Sequence, residues 1–453
     1  STCAPAVAGH CVTAEKLGIP SVPVITNTFE TPVRESLYGK GMQHLRVAFV
    51  QHPVAYRPSE ECRQKLLGKD PVTGKQVLQE IVDHLTVPLN EEESKTGTID
   101  RPRQRVLGTD TEENFQELFR NNGWTLYLPI IIPTEERVEA MLKGTSRNAD
   151  EKVGEMAPSS PHEKWSYTVE QVAVTAVMAG AKPEYFPAIL AIASIGQTAL
   201  FTSTNSFTAM VCVNGPIRNE IKMNMSIGTL GPFNHANASI GAAWSMVSKN
   251  LGGGVTPGLN YMGSQGQGHN FANLCFGERE ERLPEGWNPF HVLKGYTPEE
   301  SVVSVFHGWS WSNMGGFESW KDETIRIFFE DNFQCCGTSI VMDPLVAMML
   351  HDDLGYKTKE EFHQWLKENV KYDQKQYWGF PGQFPAGGHP EELAKAKAGE
   401  EPYASWLKLL EGVKIPVARE VDVNIMVAGG ETNPYWQAGS LGLLGTASVD
   451  EWR

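Results

Sequence analysis

Cys3 stands in Ser-Thr-Cys-Ala-Pro-Ala-Val-Ala-Gly-His-Cys, where the pattern predicts the first turn of a helix. A thiol there lies at the positive end of the helix dipole, beside unpaired backbone N–H groups that favour the thiolate, its nucleophilic form. The residues alone leave a second reading open, that of a small buried cysteine without chemistry. Two histidines are candidate proton carriers for a thiol enzyme. His10 follows Cys3 by about two helical turns, or roughly 10 Å, so direct pairing is not expected. His52 is better placed, after an apolar run that reads as a strand. Farther along, Asn214, Asn234, His235 and Asn237 occur in Gly- and Asn-rich loops, whose amides and backbone N–H groups can polarise a substrate or hold an oxyanion. Ordinary turn chemistry and a satisfied structural histidine are the alternatives there. Glu431 and Asn433, in Glu431-Thr-Asn-Pro-Tyr-Trp436, follow a glycine turn and read as substrate-binding, with Trp436 as a pocket wall; an aromatic packed at a domain junction is the alternative. Cys3, His10 and Cys11 hint at a metal, but the chain has no Cys-x-x-Cys pair and no His-Glu-x-x-His. No metal site is assigned and no cofactor is clearly implied. Vicinal Cys335-Cys336 reads as two small residues on opposite faces of a strand.

These groups need elements to hold them. Val7, Cys11, Ala14 and Leu17 recur at helical spacing and predict the buried stripe of the first helix, capped by Ser1 or Thr2, with Pro5 in its first turn and Gly18 at its end. Residues 19–26 read as the next strand, 46–51 as another that ends at His52-Pro53, and 76–89 as a helix. The alternation predicts an α/β fold with an open parallel sheet and ligands at the carboxyl ends of its strands. The first helix lacks a strand to feed it. A lost strand, a separate or cleaved N-terminal chain, and a late start of the numbering remain open, as does a homo-oligomer.

Residues 90–108 are polar and aperiodic, which predicts a linker between domains at 1–89 and 109–453, the second a larger α/β (α+β) unit. In it, Thr109 or Asp110 caps a helix and Thr134 another. Two buried helices lie between 168 and 200, strands at 301–309 and 337–342, helices at 345–350 and 359–370, and a late strand from 423 into a glycine turn.

Composition limits the partners. The 453 residues carry a formal net charge of −15 and 41% hydrophobic side chains, so there is material for real cores and no basic patch for nucleic acid or an anionic membrane. No apolar stretch approaches a membrane span and no signal pattern opens the chain, which points to the cytoplasm. The seven cysteines are scattered and odd in number, as free thiols would be.

Aligned on Glu15-Lys-Leu-Gly-Ile-Pro20, the first segment resembles UGSC-like proteins, named for a selenocysteine-Gly-Ser-Cys motif. The resemblance sets Cys3 on the motif's last cysteine and Ser1 and Thr2 on its Gly and Ser, with the leading selenocysteine or cysteine before residue 1. It implies a thiol active site, with Ser1 and Thr2 against the substrate. Gly123-Trp-Thr-Leu-Tyr-Leu-Pro resembles a Trp-Thr-Asp-Gly-Leu-Pro pattern of related bacterial proteins, with Leu126-Tyr127 in place of Asp-Gly. Val213-Asn-Gly-Pro-Ile, the loop at 231–241 and Ala428-Gly-Gly430 are similar to the same relatives. A more distant resemblance, to the selenoprotein B component of glycine and betaine reductases, implies thiol or selenol attack on an activated carbon. The resulting expectation is a thiol-dependent enzyme, redox chemistry included, that acts on a small polar or carboxylated molecule between the two domains. A cofactor-independent lyase, hydratase or cyclase using the Asn/His-rich loop is the alternative, and a small-molecule binding protein the third reading.

Overall fold

The computed structural model describes residues 3–54, 57–97, 104–156, 165–201, 206–253, 256–259, 261–308, 311–315, 321–331, 337–372, 390–410, 415–416 and 423–453. The chain divides into two units, one of residues 1–207, 242–271 and 452–453, the other of 208–241 and 272–451.

The first unit begins with α1 (Cys3–Lys16), β1 (Val24–Thr26), α2 (Glu30–Gly39), β2 (Ala48–Val50), α3 (Ser59–Leu67) and α4 (Val77–Thr86). β1 and β2 pair in parallel, Val24 opposite Ala48 and Thr26 opposite Val50, as the α/β reading expects. Both are shorter than predicted. Pro20 and Pro23 have no N–H to give a ladder, which confines β1 to the residues after them. α1 ends at Gly18 as expected: with φ at +76° this residue turns the chain, and the Gly18 and Ile19 N–H groups reach the Glu15 and Ala14 carbonyls at 2.9 and 3.0 Å.

The buried face of α1 is not the predicted one. Ala4, Ala8 and Val12 join Ile25, Val33, Leu37, Val47 and Phe49 in the core. Val7 and Leu17 are 41% and 73% exposed, and Cys11 and Ala14 are half-buried. Residues four apart share a helix face, and small side chains on it let the helix lie close on a thin sheet, which the bulkier stripe would prevent.

The unit continues with α5 (Glu112–Asn121), α6 (Glu135–Leu142), an antiparallel pair β3 (Lys152–Met156) and β4 (Trp165–Thr168), then α7 (Val169–Met178) and α8 (Phe186–Ser194). Thr134 caps α6 as expected. The cap of α5 is Thr111, whose hydroxyl accepts from Asn114 N–H, rather than Thr109 or Asp110. Asp110 sits one residue outside and braces the cap by accepting from Thr111 N–H and Asn114 Nδ2, each at 2.7 Å. Tyr127 adopts φ +63°, a left-handed backbone that glycine adopts most readily.

The second unit contains β5 (Thr208–Asn214), α9 (Ile217–Glu220), the start of α10 (His235–Asn250), β6 (Leu274–Gly277), α11 (Phe290–Leu293), β7 (Val302–Gly308), β8 (Ser312–Gly315), α12 (Asp322–Asp331), β9 (Thr338–Met342), α13 (Pro344–Asp352) and α14 (Lys359–Asn369). A short antiparallel pair, β10 (Lys371–Tyr372) and β11 (Ile415–Pro416), precedes β12 (Val423–Val427), β13 (Tyr435–Gly439) and β14 (Leu441–Ser448). Two mixed four-stranded sheets result, in the orders β14-β7-β5-β6 and β12-β9-β13-β8, with β5 parallel to β6 and β9 parallel to β12.

Strand alternation explains how these layers stack. In β9, Ile340 and Met342 face a core with Ile325, Phe329, Val346, Leu350 and Phe362 from α12, α13 and α14, while Val341 faces the opposite core with Met210, Cys212, Phe276 and Phe306 of the other sheet. Both faces of β9 and β12 are buried, hence their continuous apolar runs. Trp436, expected as a pocket wall, is 1% exposed and packs among Phe328, Phe329 and Phe362, so it belongs to the core. Cys335 and Cys336 lie outside the described residues. Among those described, no helix is long and apolar enough to cross a membrane.

Candidate functional site

In the first unit, polar residues gather where β1 and β2 end. Thr26 closes β1, Asn27 follows it, and His52 comes two residues after β2. Thr26 Oγ1 and His52 Nδ1 are 3.1 Å apart, Asn27 Oδ1 accepts from the His52 N–H at 2.9 Å, and the Phe29 ring meets the imidazole edge-on at 5.7 Å. The His52–Pro53 peptide is cis. These contacts fix the ring and leave Nε2 without a protein partner among the described residues, as a proton carrier requires.

α1 leads through residues 17–23 into the start of β1, and its alanine face lies in the core with Ile25 and Phe49. Cys3 stands at the end of α1 away from this connection. Ser1, Thr2 and the Cys3 side chain are outside what the structure describes. Cys11, Cys62, Cys212 and Cys275 are free thiols. Burial raises Cys11 above its usual pKa, Cys212 far above it, and Cys275 to about 12, which leaves these three poor nucleophiles at neutral pH.

In the second unit, Asn214 ends β5, Asn234 precedes α10, His235 and Asn237 lie in its first turn, and Glu431 and Asn433 follow β12. The Gly429 N–H donates to the Met225 carbonyl at 3.1 Å, which joins the glycine turn after β12 to the loop before α10. Asn234 caps α10, its Oδ1 accepting from Ala236 and Asn237 N–H at 2.8 and 3.2 Å, while its Nδ2 donates to the Lys222 carbonyl. Asn237 is buried and clamps the preceding loop, accepting from Asn224 N–H and donating to the carbonyls of Asn224 and Thr229. His235 is exposed on the first turn of α10, and Asn433 is half-buried.

Asn214 belongs to a buried polar network that sequence reasoning missed. Its Nδ2 donates to Glu278 Oε2 at 2.8 Å and to Glu280 Oε1 at 2.9 Å. Glu278, fully buried, also accepts from Lys359 Nζ at 2.7 Å and from the N–H groups of Val427 and Phe290. Arg218 continues the network to Glu280 at 2.8 Å and Glu281 at 3.1 Å. His291, completely buried, has its Nδ1 3.8 Å from Glu280 Oε1. The available signal was Gly277-Glu-Arg-Glu-Glu-Arg282, a charge run of the kind that usually marks a solvated face.

Glu431 ends the assembly. One carboxylate oxygen lies 2.9 Å from Arg279 Nη1 and the other pairs with Arg282 Nη2. The Arg282 hydrogen bond, followed by the charges of both arginines, outweighs desolvation and holds this carboxyl below its ordinary range. Glu431 adopts φ +56°, a left-handed backbone that costs a non-glycine residue about 1–3 kcal/mol. Its N–H donates to Asp343 Oδ2 at 2.9 Å, and any Cβ on Gly429 would collide with that carboxylate. Among the described residues no three His, Cys, Asp or Glu side chains gather closely enough to hold a metal ion.

The segment from α1 to α4 is thus an α/β unit with His52 held at the ends of its two parallel strands. Residues 1–87 match the UGSC family, so this segment is UGSC-like. The match carries no link to selenoprotein B. No curated protein matches the chain.

Proposed function

We propose that the chain is a thiol-dependent enzyme of the cytoplasm that acts on a small polar or carboxylated organic molecule, with Cys3 as nucleophile or redox partner and His52 as proton carrier. The observation that carries this reading is the hold of Thr26 and Asn27 on His52 at the ends of the two parallel strands whose core α1 joins. The UGSC match over the same segment supports it. In a nucleophilic cycle the Cys3 thiol passes its proton to His52, the thiolate sulfur bonds to an electrophilic acyl carbon as that carbon's bond to the departing group breaks, and the proton leaves with that group; water then attacks the thioester through His52, which releases the acid and returns a proton to the sulfur. Ser1 and Thr2, adjacent to Cys3, contact the substrate. The amides of Asn214, Asn234 and Asn237 are engaged within the protein, which favours the thiol reading over a lyase built on those groups.

Alkylation by iodoacetamide at pH 7, mapped by mass spectrometry, tests the proposal. Cys3 is expected to react first, well ahead of Cys11, Cys212 and Cys275, and more slowly in His52→Ala. Labelling of Cys3 no faster than in the urea-unfolded chain overturns it, as does a turnover found by substrate screening that survives in Cys3→Ser.

A further inference from the structure

Arg279 and Arg282 each hold one oxygen of the Glu431 carboxylate, the arrangement with which guanidinium groups recognise a planar carboxylate from any source. Arg279 is fixed for this task by a second bond, from Nη1 to the Gly429 carbonyl at 2.7 Å, and by its own N–H on the Val427 carbonyl at 2.7 Å. Arg282 is nearly half exposed, so the pair opens to solvent. Glu431 reaches the arginines from a left-handed backbone position that works against folding; its carboxylate makes a partly exposed ion pair and its N–H a hydrogen bond to Asp343 Oδ2. Exchange of its carboxylate for another regains the same charge-assisted bonds and frees that backbone to relax. The fork lies beyond the carboxyl ends of the parallel strands β9 and β12, where open sheets bind ligands.

We propose that Arg279 and Arg282 form a binding fork for the carboxylate of a small organic acid, and that Glu431 is an internal substitute which the ligand displaces. The fork is a site of the second unit and does not depend on the thiol reading. In a chain of formal charge −15, it concentrates positive charge where an anion can replace an anion without adding to the local excess.

Calorimetric titration of the full chain with succinate at low ionic strength provides the test, with inorganic phosphate as the second anion. Glu431→Gln is expected to bind succinate at least about tenfold more tightly than the unaltered chain, a tenfold change corresponding to about 1.4 kcal/mol. Glu431→Gly, which suits the left-handed backbone, is expected to do the same and guards against a folding defect in the first variant. Arg279→Gln or Arg282→Gln in the Glu431→Gln background is expected to abolish the gain. Equal succinate affinity in the unaltered chain and both Glu431 variants overturns the proposal. Tighter binding of phosphate than of succinate by Glu431→Gln overturns the assignment to a carboxylate. None of these variants alters Cys3, so failure here leaves the thiol proposal standing.

Discussion

Asn214, Asn234, Asn237 and His52 all sit at the ends of strands or helices, and their neighbours decide what each can do. The three amides are engaged in a network, a cap and a loop clamp, while His52 is held by one ring nitrogen and the other has no partner among the described residues. The same logic governs Glu93. Its carboxylate takes two bonds from the Arg46 guanidinium, at 2.8 and 2.7 Å, and this pairing holds its pKa down to about 2 against an ordinary 4.5. Arg46 also donates to the Val87 and Pro88 carbonyls, so the pair ties down the segment after α4. Because the folded-state pKa is the lower one, the stabilisation is complete above about pH 4.5 and is lost as pH falls toward 2. The stability gap between the unaltered chain and Glu93→Gln should therefore be greatest near neutrality and close through this acid window, as followed by urea unfolding. A gap that is constant with pH would show that the pairing does not contribute.

At the scale of elements, α1 shows how packing overrides a pattern. The predicted stripe holds Val7 and Leu17, and the helix instead buries the face of Ala4, Ala8 and Val12. Ala8→Leu forces extra volume into a contact with no exposed surface and should cost about 1–3 kcal/mol. Val7→Lys, on the exposed stripe, should stay within about 0.5 kcal/mol. Thermal denaturation of the two variants distinguishes the faces, and a larger loss for Val7→Lys would restore the original stripe.

For the whole molecule, the two units are interleaved along the chain. Residues 242–271 return to the first unit, where Met246 joins Phe119, Ile130 and Met178, Trp244 Nε1 donates to the Gln197 carbonyl at 2.8 Å, and Ser248 Oγ accepts the Ala199 N–H at 2.9 Å. A polypeptide ending at residue 207 loses these partners and leaves buried polar groups and apolar surface uncovered. It should melt well below the first unit of the full chain when both are followed by circular dichroism and hydrogen exchange. Equal protection of residues 186–194 in the two would overturn this expectation.

Much of the fold is legible in the sequence. Gly18 as a terminator, Thr134 as a cap, the pair of helices between 168 and 200, and the strands at β7, β9 and β12 all follow from local rules: a turn that needs positive φ, a hydroxyl three residues before an N–H, an apolar period. Cys3 at a helix start and His52 after a strand are likewise local features. What a side chain meets across space is not local. Glu278 and Lys359 stand far apart in the sequence and look solvated there, yet they meet at 2.7 Å because β6 and α14 converge, and a buried pair of this kind is stable only when its remaining bonds are also satisfied. Glu431 reads in the sequence as a ligand-binding acid, and only the fold shows that Arg279 and Arg282 hold its carboxylate. The sequence by itself determined the elements and the chemistry they could display, since backbone preference and periodicity act over a few residues. Tertiary structure alone decided which polar groups are engaged and which remain available, because that depends on partners brought together from distant parts of the chain.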